Sequence, residues 1–181
     1  MITTRIELIH ALENYTTDYI EEKEFCIRFL DLLKSERAYH RDHLPGHITG
    51  SAWIIDETKQ YTLLTHHAKL NKWLQTGGHA DGDENVLNVA LREAEEESGL
   101  KNFKLLQPTI FDLDIHLIPE RKDFPQHFHY DIRFLFEASM KEQLIISEES
   151  HDLAWKKIDE IDVLTNHNPS MIRMAEKTKL L

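Results

Sequence analysis

The chain has 181 residues, of which 41% are hydrophobic and 29% are charged. This length allows one domain with a sizeable core, and the composition is that of an ordinary globular protein. The 32 acidic and 21 basic residues leave a formal net charge of −11. Proteins that bind long nucleic acids need a basic surface, so the charge argues against that class of partner. A small anionic substrate remains compatible with it if a bound divalent cation reverses the local field.

Cysteine content and hydropathy predict a cytoplasmic protein. Cys26 is the one cysteine of the sequence, so no internal disulfide can form. Residues 1–7 lack the apolar run of a signal peptide. No stretch approaches the roughly 20 apolar residues that span a bilayer, so we expect no membrane partner. The sequence leaves open whether the protein forms a homodimer.

Two helices are predicted near the N-terminus, over residues 3–14 and 18–36. Apolar side chains recur at helical spacing in the second helix, and Asp18 with Glu21 resembles a capping box at its start. Cys26 lies on the apolar face of this helix, which favours a buried structural thiol.

Residues 45–181 are predicted to form the main domain, on which residues 1–44 pack as a helical extension. Strands are predicted at 48–55, 61–66, 111–117 and 127–137, and helices at 84–98 and from Asn168 onwards. The last two strands alternate apolar and polar residues, as half-buried strands do. The last helix is expected to turn Ile172 and Ala175 inward. The fold class is therefore α/β (α+β), with a mixed or antiparallel sheet.

The predicted helix at 84–98 carries the clearest chemical pattern. At about 100° per residue, one arc that must face the core holds the apolar side chains of Val86, Leu87, Ala90, Leu91 and Ala94. Glu93, Glu96 and Glu97 share a neighbouring arc, where their spacing brings the carboxylates within reach of one another. Three like charges repel, so helix stability does not explain them, whereas Mg²⁺ binds through a few carboxylate oxygens. An acidic face in water is the alternative for the cluster taken alone.

Neighbouring residues favour the cation site over the acidic face. A predicted loop, residues 73–82, contains Gly77 and Gly78, where a backbone carbonyl can approach a metal because no Cβ intervenes. Glu84 adds a carboxylate near the helix start. Arg92 can hold a carboxylate or a phosphate in a forked pair.

Residues 78–100 resemble the complete Nudix box, Gly-x5-Glu-x7-Arg-Glu-U-x-Glu-Glu-x-Gly-U, in which U is apolar. Its positions are filled by Gly78, Glu84, Arg92, Glu93, Ala94, Glu96, Glu97, Gly99 and Leu100. The order of elements over residues 45–165 is also similar to that family. The resemblance implies a Nudix-like α/β/α sandwich with a mixed sheet. It also implies a hydrolase that cleaves a phosphoanhydride bond in a nucleoside-diphosphate-linked or similar small molecule.

The resemblance further implies a role for each residue of the box. Mg²⁺, or Mn²⁺, would be bound by Glu93, Glu96 and Glu97 with the carbonyl of Gly77 or Gly78. Glu84 would support this site or bind an outer metal, and Arg92 would orient a catalytic glutamate. Water activated by the metal would attack one phosphorus. The general base would be Glu93, which we favour, or a loop glutamate, Glu148 or Glu149.

The two alternating strands offer candidate substrate contacts. If they pair antiparallel, their shared polar face is formed by Asp112, Asp114, His116, His127, His129, Asp131 and Arg133. This face either lines a substrate cleft, with Arg133 on a phosphate and Asp114 and the histidines near a sugar or base, or faces water. His127 and His129 are also spaced to bind a transition metal, but no third ligand is identifiable. Trp73 either stacks on a base or packs in the core.

Two other functions stay open from the sequence. An isoprenoid-diphosphate isomerase would use a cysteine in its active region, whereas Cys26 lies in the N-terminal helices. A non-catalytic Nudix-fold module that binds a nucleotide-like ligand would usually have lost box carboxylates, and none is lost here. Markers of the substrate subgroups are missing. For example, His116 stands where enzymes for ADP-ribose often carry proline. The substrate therefore stays unassigned.

Overall fold

The computed structural model describes residues 1–121, 124–148 and 150–181. Its helices are α1 (Arg5–Glu13), α2 (Ile20–Leu32), α3 (Val86–Ser98), α4 (Ile161–Leu164) and α5 (Pro169–Lys179), with a 3-10 turn at Ile158–Glu160. Its strands are β1 (Gly46–Ile55), β2 (Tyr61–His67), β3 (Lys72–Leu74), β4 (Thr76–His79), β5 (Lys104–Leu105), β6 (Asp112–Ile118), β7 (His127–Glu137) and β8 (Ser150–Lys157). Within the described ranges, no helix is long and apolar enough to cross a membrane.

The strands pair into a sheet whose main path is β3-β2-β1-β7-β5. Strand β4 pairs with β1, β6 with β7, and β8 with β2. The pairs β1–β2, β2–β3, β2–β8, β5–β7 and β6–β7 are antiparallel. The alternating segments of the sequence are thus neighbours in the sheet, and the predicted mixture of helices and strands is confirmed.

The chain divides into two compact units, each with its own buried side chains. The first unit contains residues 1–51, 77–90 and 107–134. Its buried side chains include Leu8, Phe29, Ile48, Val89, Leu113 and Phe134. The second contains residues 52–76, 91–106 and 135–181, and it buries Trp53, Ile54, Leu63, Leu64, Met171 and Met174. The Trp53 indole N–H donates to Thr178 Oγ1 at 2.8 Å, which satisfies the polar atom of this buried ring.

The predicted start of the last helix is confirmed. The Asn168 side chain caps α5 by accepting hydrogen bonds from the backbone N–H groups of Ser170 and Met171. The inward face differs from the prediction in one position. Ala175 is buried as expected, but Ile172 is only half-buried, because the buried stripe passes through Met171 and Met174.

The predicted capping box of the second helix is wrong. Helix α2 begins at Ile20, and its N-cap is Tyr19, which makes no side-chain capping bond. Asp18 therefore lies one residue before the position from which a short side chain caps a helix.

A buried glutamate ties α2 to strand β6 within the first unit. The Glu22 carboxylate is fully buried and accepts hydrogen bonds from the Tyr15 hydroxyl at 2.7 Å and from the Leu113 backbone N–H at 3.0 Å. It also accepts one from the Thr17 hydroxyl at 2.5 Å. The N-terminal helices thus pack on other parts of this unit, whereas a domain boundary at residue 44 stays a prediction.

We expect Glu22→Ala to lower the free energy of unfolding by about 3 kcal/mol, because buried donors would lose a charged acceptor. Urea unfolding followed by circular dichroism measures this loss. Glu24→Ala, an exposed position on the same helix, is the control and should change stability by less than about 0.5 kcal/mol. Equal effects of the two variants would contradict the structural role of Glu22.

Candidate functional site

Helix α3 presents the predicted carboxylates beside a buried face. Val86, Ala90 and Ala94 are buried as predicted, and Val89 joins them. Leu87 and Leu91, which the prediction also placed on this arc, are only half-buried. The Arg92 guanidinium lies 2.8 Å from Glu93 Oε1 and 3.5 Å from Glu96 Oε2. The Glu93 side chain is 16% exposed and that of Glu96 is 61% exposed. One guanidinium therefore draws together two of the three carboxylates on the predicted arc.

Gly99, the last glycine of the box, ends α3 for two physical reasons. Its φ of +73° is a conformation that residues with a Cβ rarely adopt. A Cβ at this position would also lie 2.6 Å from the Cβ of Ile145. Glycine is the residue that satisfies both conditions, since it has no Cβ.

The predicted glycine loop contains two short strands. Residues 72–74 form β3, and Gly77 and Gly78 lie within β4. A Cβ on Gly77 would lie 2.7 Å from the Cβ of Ser51, so β4 approaches β1 more closely than a larger residue allows. Glu84 is exposed, just before α3, and its carboxylate accepts a hydrogen bond from the Arg5 backbone N–H at 3.2 Å.

Strands β6 and β7 form the predicted shared polar face. Their antiparallel register places Asp112 opposite Arg133, Asp114 opposite Asp131, and His116 opposite His129. Most of these side chains are buried or half-buried, with Asp112, Asp131 and Arg133 almost entirely removed from solvent. The interpretation of this face as one that is open to water is therefore wrong.

Arg133 lies among three carboxylates. Its guanidinium donates to Asp131 at 2.8 Å, to Asp112 at 3.0 Å and to Asp114 at 3.2 Å. Burial alone would lower the pKa of Arg133, but these carboxylates outweigh it and raise the pKa above its ordinary value. The geometry favours a structural role for Arg133 over the predicted contact with a phosphate.

The hydroxyls of strand β1 complete this polar network. Asp131 Oδ1 accepts hydrogen bonds from Thr49 at 2.9 Å and from Ser51 at 2.7 Å. Because Asp131 also accepts from Arg133, it joins β1 to the network of β6 and β7.

Histidines gather beside this network in the first unit. The His47 ring lies 5.0 Å from the rings of both His127 and His129 and 5.2 Å from that of His79. The His116 ring lies 5.4 Å from that of His129. Burial lowers the pKa of His47 to about 4 and that of His129 to about 2, and neighbouring histidines add to both effects. Both imidazoles are therefore neutral at pH 7.

Within the described residues, the group of possible metal ligands whose donor atoms converge is His47, His127 and His129. Their donor atoms lie within 4.8 Å of one another. Sequence reasoning singled out His127 and His129 but missed His47 and His79. Each missed histidine follows a glycine, Gly46 or Gly78, but only strand pairing reveals that these two sites are neighbours.

The sequence also singled out Trp73, Glu148, Glu149 and Cys26. Trp73 is half-buried, so the prediction that it packs in the core is wrong. Its ring lies 5.0 Å from that of His66 and 3.9 Å from Lys156 Nζ. Glu148 is exposed in a turn before β8, and Glu149 lies outside the described residues. Cys26 is half-buried, and burial raises the pKa of its thiol to about 11, which suits neither a reactive thiol nor the isomerase alternative.

Comparison with known proteins identifies the family. A family model described as NUDIX domain matches residues 45–177, more than half of the chain. A curated relative, the probable DHNTP pyrophosphohydrolase of Lactococcus lactis subsp. cremoris (strain MG1363), is 28% identical over 141 residues, which are 75% of this chain and 81% of the relative. The asymmetrical bis(5'-nucleosyl)-tetraphosphatase of Rattus norvegicus is 27% identical over 107 residues, which are 59% of this chain and 70% of the relative.

Solved structures agree with this assignment. A NUDIX-family hydrolase from Clostridium perfringens superimposes with a TM-score of 0.55 at 26% identity, over 74% of this chain and 97% of that one. The binary complex of a C. elegans Ap4A hydrolase gives a TM-score of 0.59 at 15% identity, over 74% and 95% of the two chains, and so supports the fold alone. With its complete box at residues 78–100, the chain belongs to the Nudix family and is a Nudix hydrolase.

Proposed function

We propose that Glu93, Glu96 and Glu97 hold Mg²⁺, or Mn²⁺, for the hydrolysis of a phosphoanhydride bond in a nucleoside-diphosphate-linked or similar small molecule. The observation that carries this proposal is the position of Glu93. Its carboxylate is 16% exposed and lies 2.8 Å from the Arg92 guanidinium, on a helix packed through its apolar face. A glutamate is rarely removed from water to this extent without a specific partner or task.

The donor set fits a hard cation. Glu93, Glu96 and Glu97 offer carboxylate oxygens on successive turns of one helix, and Mg²⁺ takes oxygen ligands while it keeps some water. Glu96 is exposed, so its side chain can turn towards a cation at little cost. The backbone carbonyl of Gly77 or Gly78 and the carboxylate of Glu84 would supply further oxygens, as the box implies.

The chain's own residues would then position and deprotonate water. A bound cation supplies neutralisation of the diphosphate oxygens and a lowered pKa of coordinated water. Glu93 would accept a proton as the water oxygen bonds to phosphorus. The bond from that phosphorus to the bridging oxygen breaks, and the second phosphate leaves with the electron pair. Arg92 would keep Glu93 in one position, which matters because small displacements of a catalytic group cost much of the rate. Glu148 and Glu149 are the alternative bases.

The names of the relatives suggest which substrates to test first. One relative is described as acting on DHNTP and the other on bis(5'-nucleosyl) tetraphosphates. We therefore propose that the substrate joins a phosphate chain to a nucleoside-like or pterin group. The net charge of −11 favours a cation bridge to such an anionic substrate.

Turnover should depend on a divalent cation. We expect hydrolysis of at least one compound from a panel of nucleoside triphosphates, nucleotide sugars, dinucleoside tetraphosphates and dihydroneopterin triphosphate. The rate should fall to background when EDTA replaces Mg²⁺, and should return when Mg²⁺ or Mn²⁺ is restored. Products separated by chromatography, with ¹⁸O-labelled water to locate the attacked phosphorus, give the measurement. Equal rates with EDTA and with Mg²⁺ would refute the metal-dependent mechanism.

A further inference from the structure

The strongest feature outside the box is a buried imidazole without a hydrogen-bond partner. His47 is 1% exposed, and neither Nδ1 nor Nε2 of its ring makes a hydrogen bond of normal geometry, although the His43 backbone lies close enough to influence its pKa. Buried polar atoms in folded proteins nearly always have at least one partner, since each unpaired group costs about 1–3 kcal/mol. Both ring nitrogens of His47 depart from this pattern. Their departure indicates that a ligand for these nitrogens belongs beside His47.

Two histidines of β7 present nitrogen atoms at a separation that suits a metal ion. His127 Nδ1 lies 2.8 Å from the carbonyl oxygen of Pro125, so this nitrogen carries the proton and donates it. His127 Nε2 is therefore left with a free lone pair, and it lies 3.3 Å from His129 Nε2. Two nitrogens about 2.0–2.1 Å from a tetrahedral Zn²⁺ ion would be separated by roughly the same distance.

The contact between Pro125 and His127 has a second consequence. Histidines that ligate a metal commonly donate their other ring N–H to a backbone carbonyl or a carboxylate, which fixes the tautomer and the ring orientation. His127 meets this description before any ion is considered. A hydrogen bond from His129 to His127 would also explain their separation, but it would leave both nitrogens of His47 unpaired.

We propose that His47, His127 and His129 form a binding site for Zn²⁺, separate in its ligands from the carboxylates of α3. One donor atom of each lies within 4.8 Å of the others, so shifts of about an ångström would bring all three to bonding distance. Imidazole is a donor that Zn²⁺ accepts readily, whereas Mg²⁺ requires oxygen. Three histidines leave a fourth position for water or another ligand, and the His79 ring lies 4.9 Å from that of His129.

Zinc binding in excess Mg²⁺ tests the site. Protein treated with a chelator, dialysed and supplied with saturating Mg²⁺ is titrated with ZnCl₂ in a calorimeter. We expect one equivalent of Zn²⁺ to bind, and we expect His129→Asn and His47→Gln each to weaken the affinity by at least about 100-fold, more than is usual for residues that only support a ligand. His10→Gln, which removes an exposed histidine of α1, should bind as the wild type does. Glu97→Gln should also retain the Mg²⁺-resistant zinc, which separates this site from the proposed catalytic one.

Cobalt provides an independent readout if the buried His47 variant fails to fold. Co²⁺ bound to several imidazoles in a tetrahedral site should give intense visible absorption, which would vanish in His129→Asn and persist in His10→Gln. The inference would be overturned if Zn²⁺ failed to bind in the presence of Mg²⁺. It would also be overturned if His129→Asn bound Zn²⁺ with wild-type affinity and gave the same visible absorption with Co²⁺ as the wild type.

Discussion

Glu97→Gln is expected to lower kcat by at least about 100-fold at saturating Mg²⁺. Loss of a residue that only supports a metal ligand typically costs 10–100-fold, so loss of a proposed ligand should cost more. The fold should be unaffected, because Glu93, Glu96 and Glu97 repel one another on a single helix arc and removing one charge relieves that repulsion. Steady-state kinetics with the best substrate of the panel give kcat, and thermal unfolding checks that Tm is unchanged.

Helix α3 provides a matched control for this variant. Glu95 is a glutamate of the same helix at a variable position of the box, and its carboxylate lies 2.9 Å from Lys101 Nζ. Glu95→Gln removes the same charge by the same chemical change, so it should leave kcat within about twofold of the wild type. Similar losses in Glu95→Gln and Glu97→Gln would mean that the overall charge of the helix matters, and the assignment of Glu97 as a metal ligand would fail.

Local periodicity explains which features could be predicted from sequence. The apolar arc of α3 and the alternation along β6 and β7 depend on residues two to four positions apart, where the geometry of helices and strands is fixed. The approximate bounds of these elements follow from that regularity, whereas the antiparallel pairing of β6 with β7 was only a condition for the shared polar face and is established by the structure. The box, at fixed spacing along α3 and its flanks, identified the family for the same reason.

Features that depend on distant pairing escaped prediction. His47 lies on β1 and His127 on β7, and nothing in their local sequence places these strands side by side. For the same reason, the contacts of Asp131 with Thr49 and Ser51 could not be foreseen. A polar strand face does not reveal whether it will be buried, so the sequence allows either a contact between Arg133 and a phosphate or a face turned to water. The three carboxylate partners of Arg133 answer that question only once the strands are paired.

Arg133→Met is the stability prediction with the largest expected effect. The Arg133 side chain is 3% exposed, and the Asp112 and Asp131 side chains that it contacts are 0% and 3% exposed. Removing the guanidinium leaves buried carboxylates without their cation, which typically destabilises a protein by about 3–5 kcal/mol. Urea unfolding should reveal this loss as a lower midpoint with an unchanged m-value.

Burial, rather than the presence of an ion pair, should decide the size of this effect. Arg37 and Asp42 also form a close pair, at 2.6 Å, but their side chains are 57% and 65% exposed, so Arg37→Met should cost no more than about 1 kcal/mol. Combining Arg133→Met with Asp112→Asn removes one of the stranded charges, and the double variant should therefore be less destabilised than the sum of the two single variants. If the free energy of unfolding of Arg133→Met lay within about 1 kcal/mol of the wild-type value, the Arg133 guanidinium would not be required to stabilise the three aspartates. Arg133 would then be available for the phosphate contact that the sequence predicted.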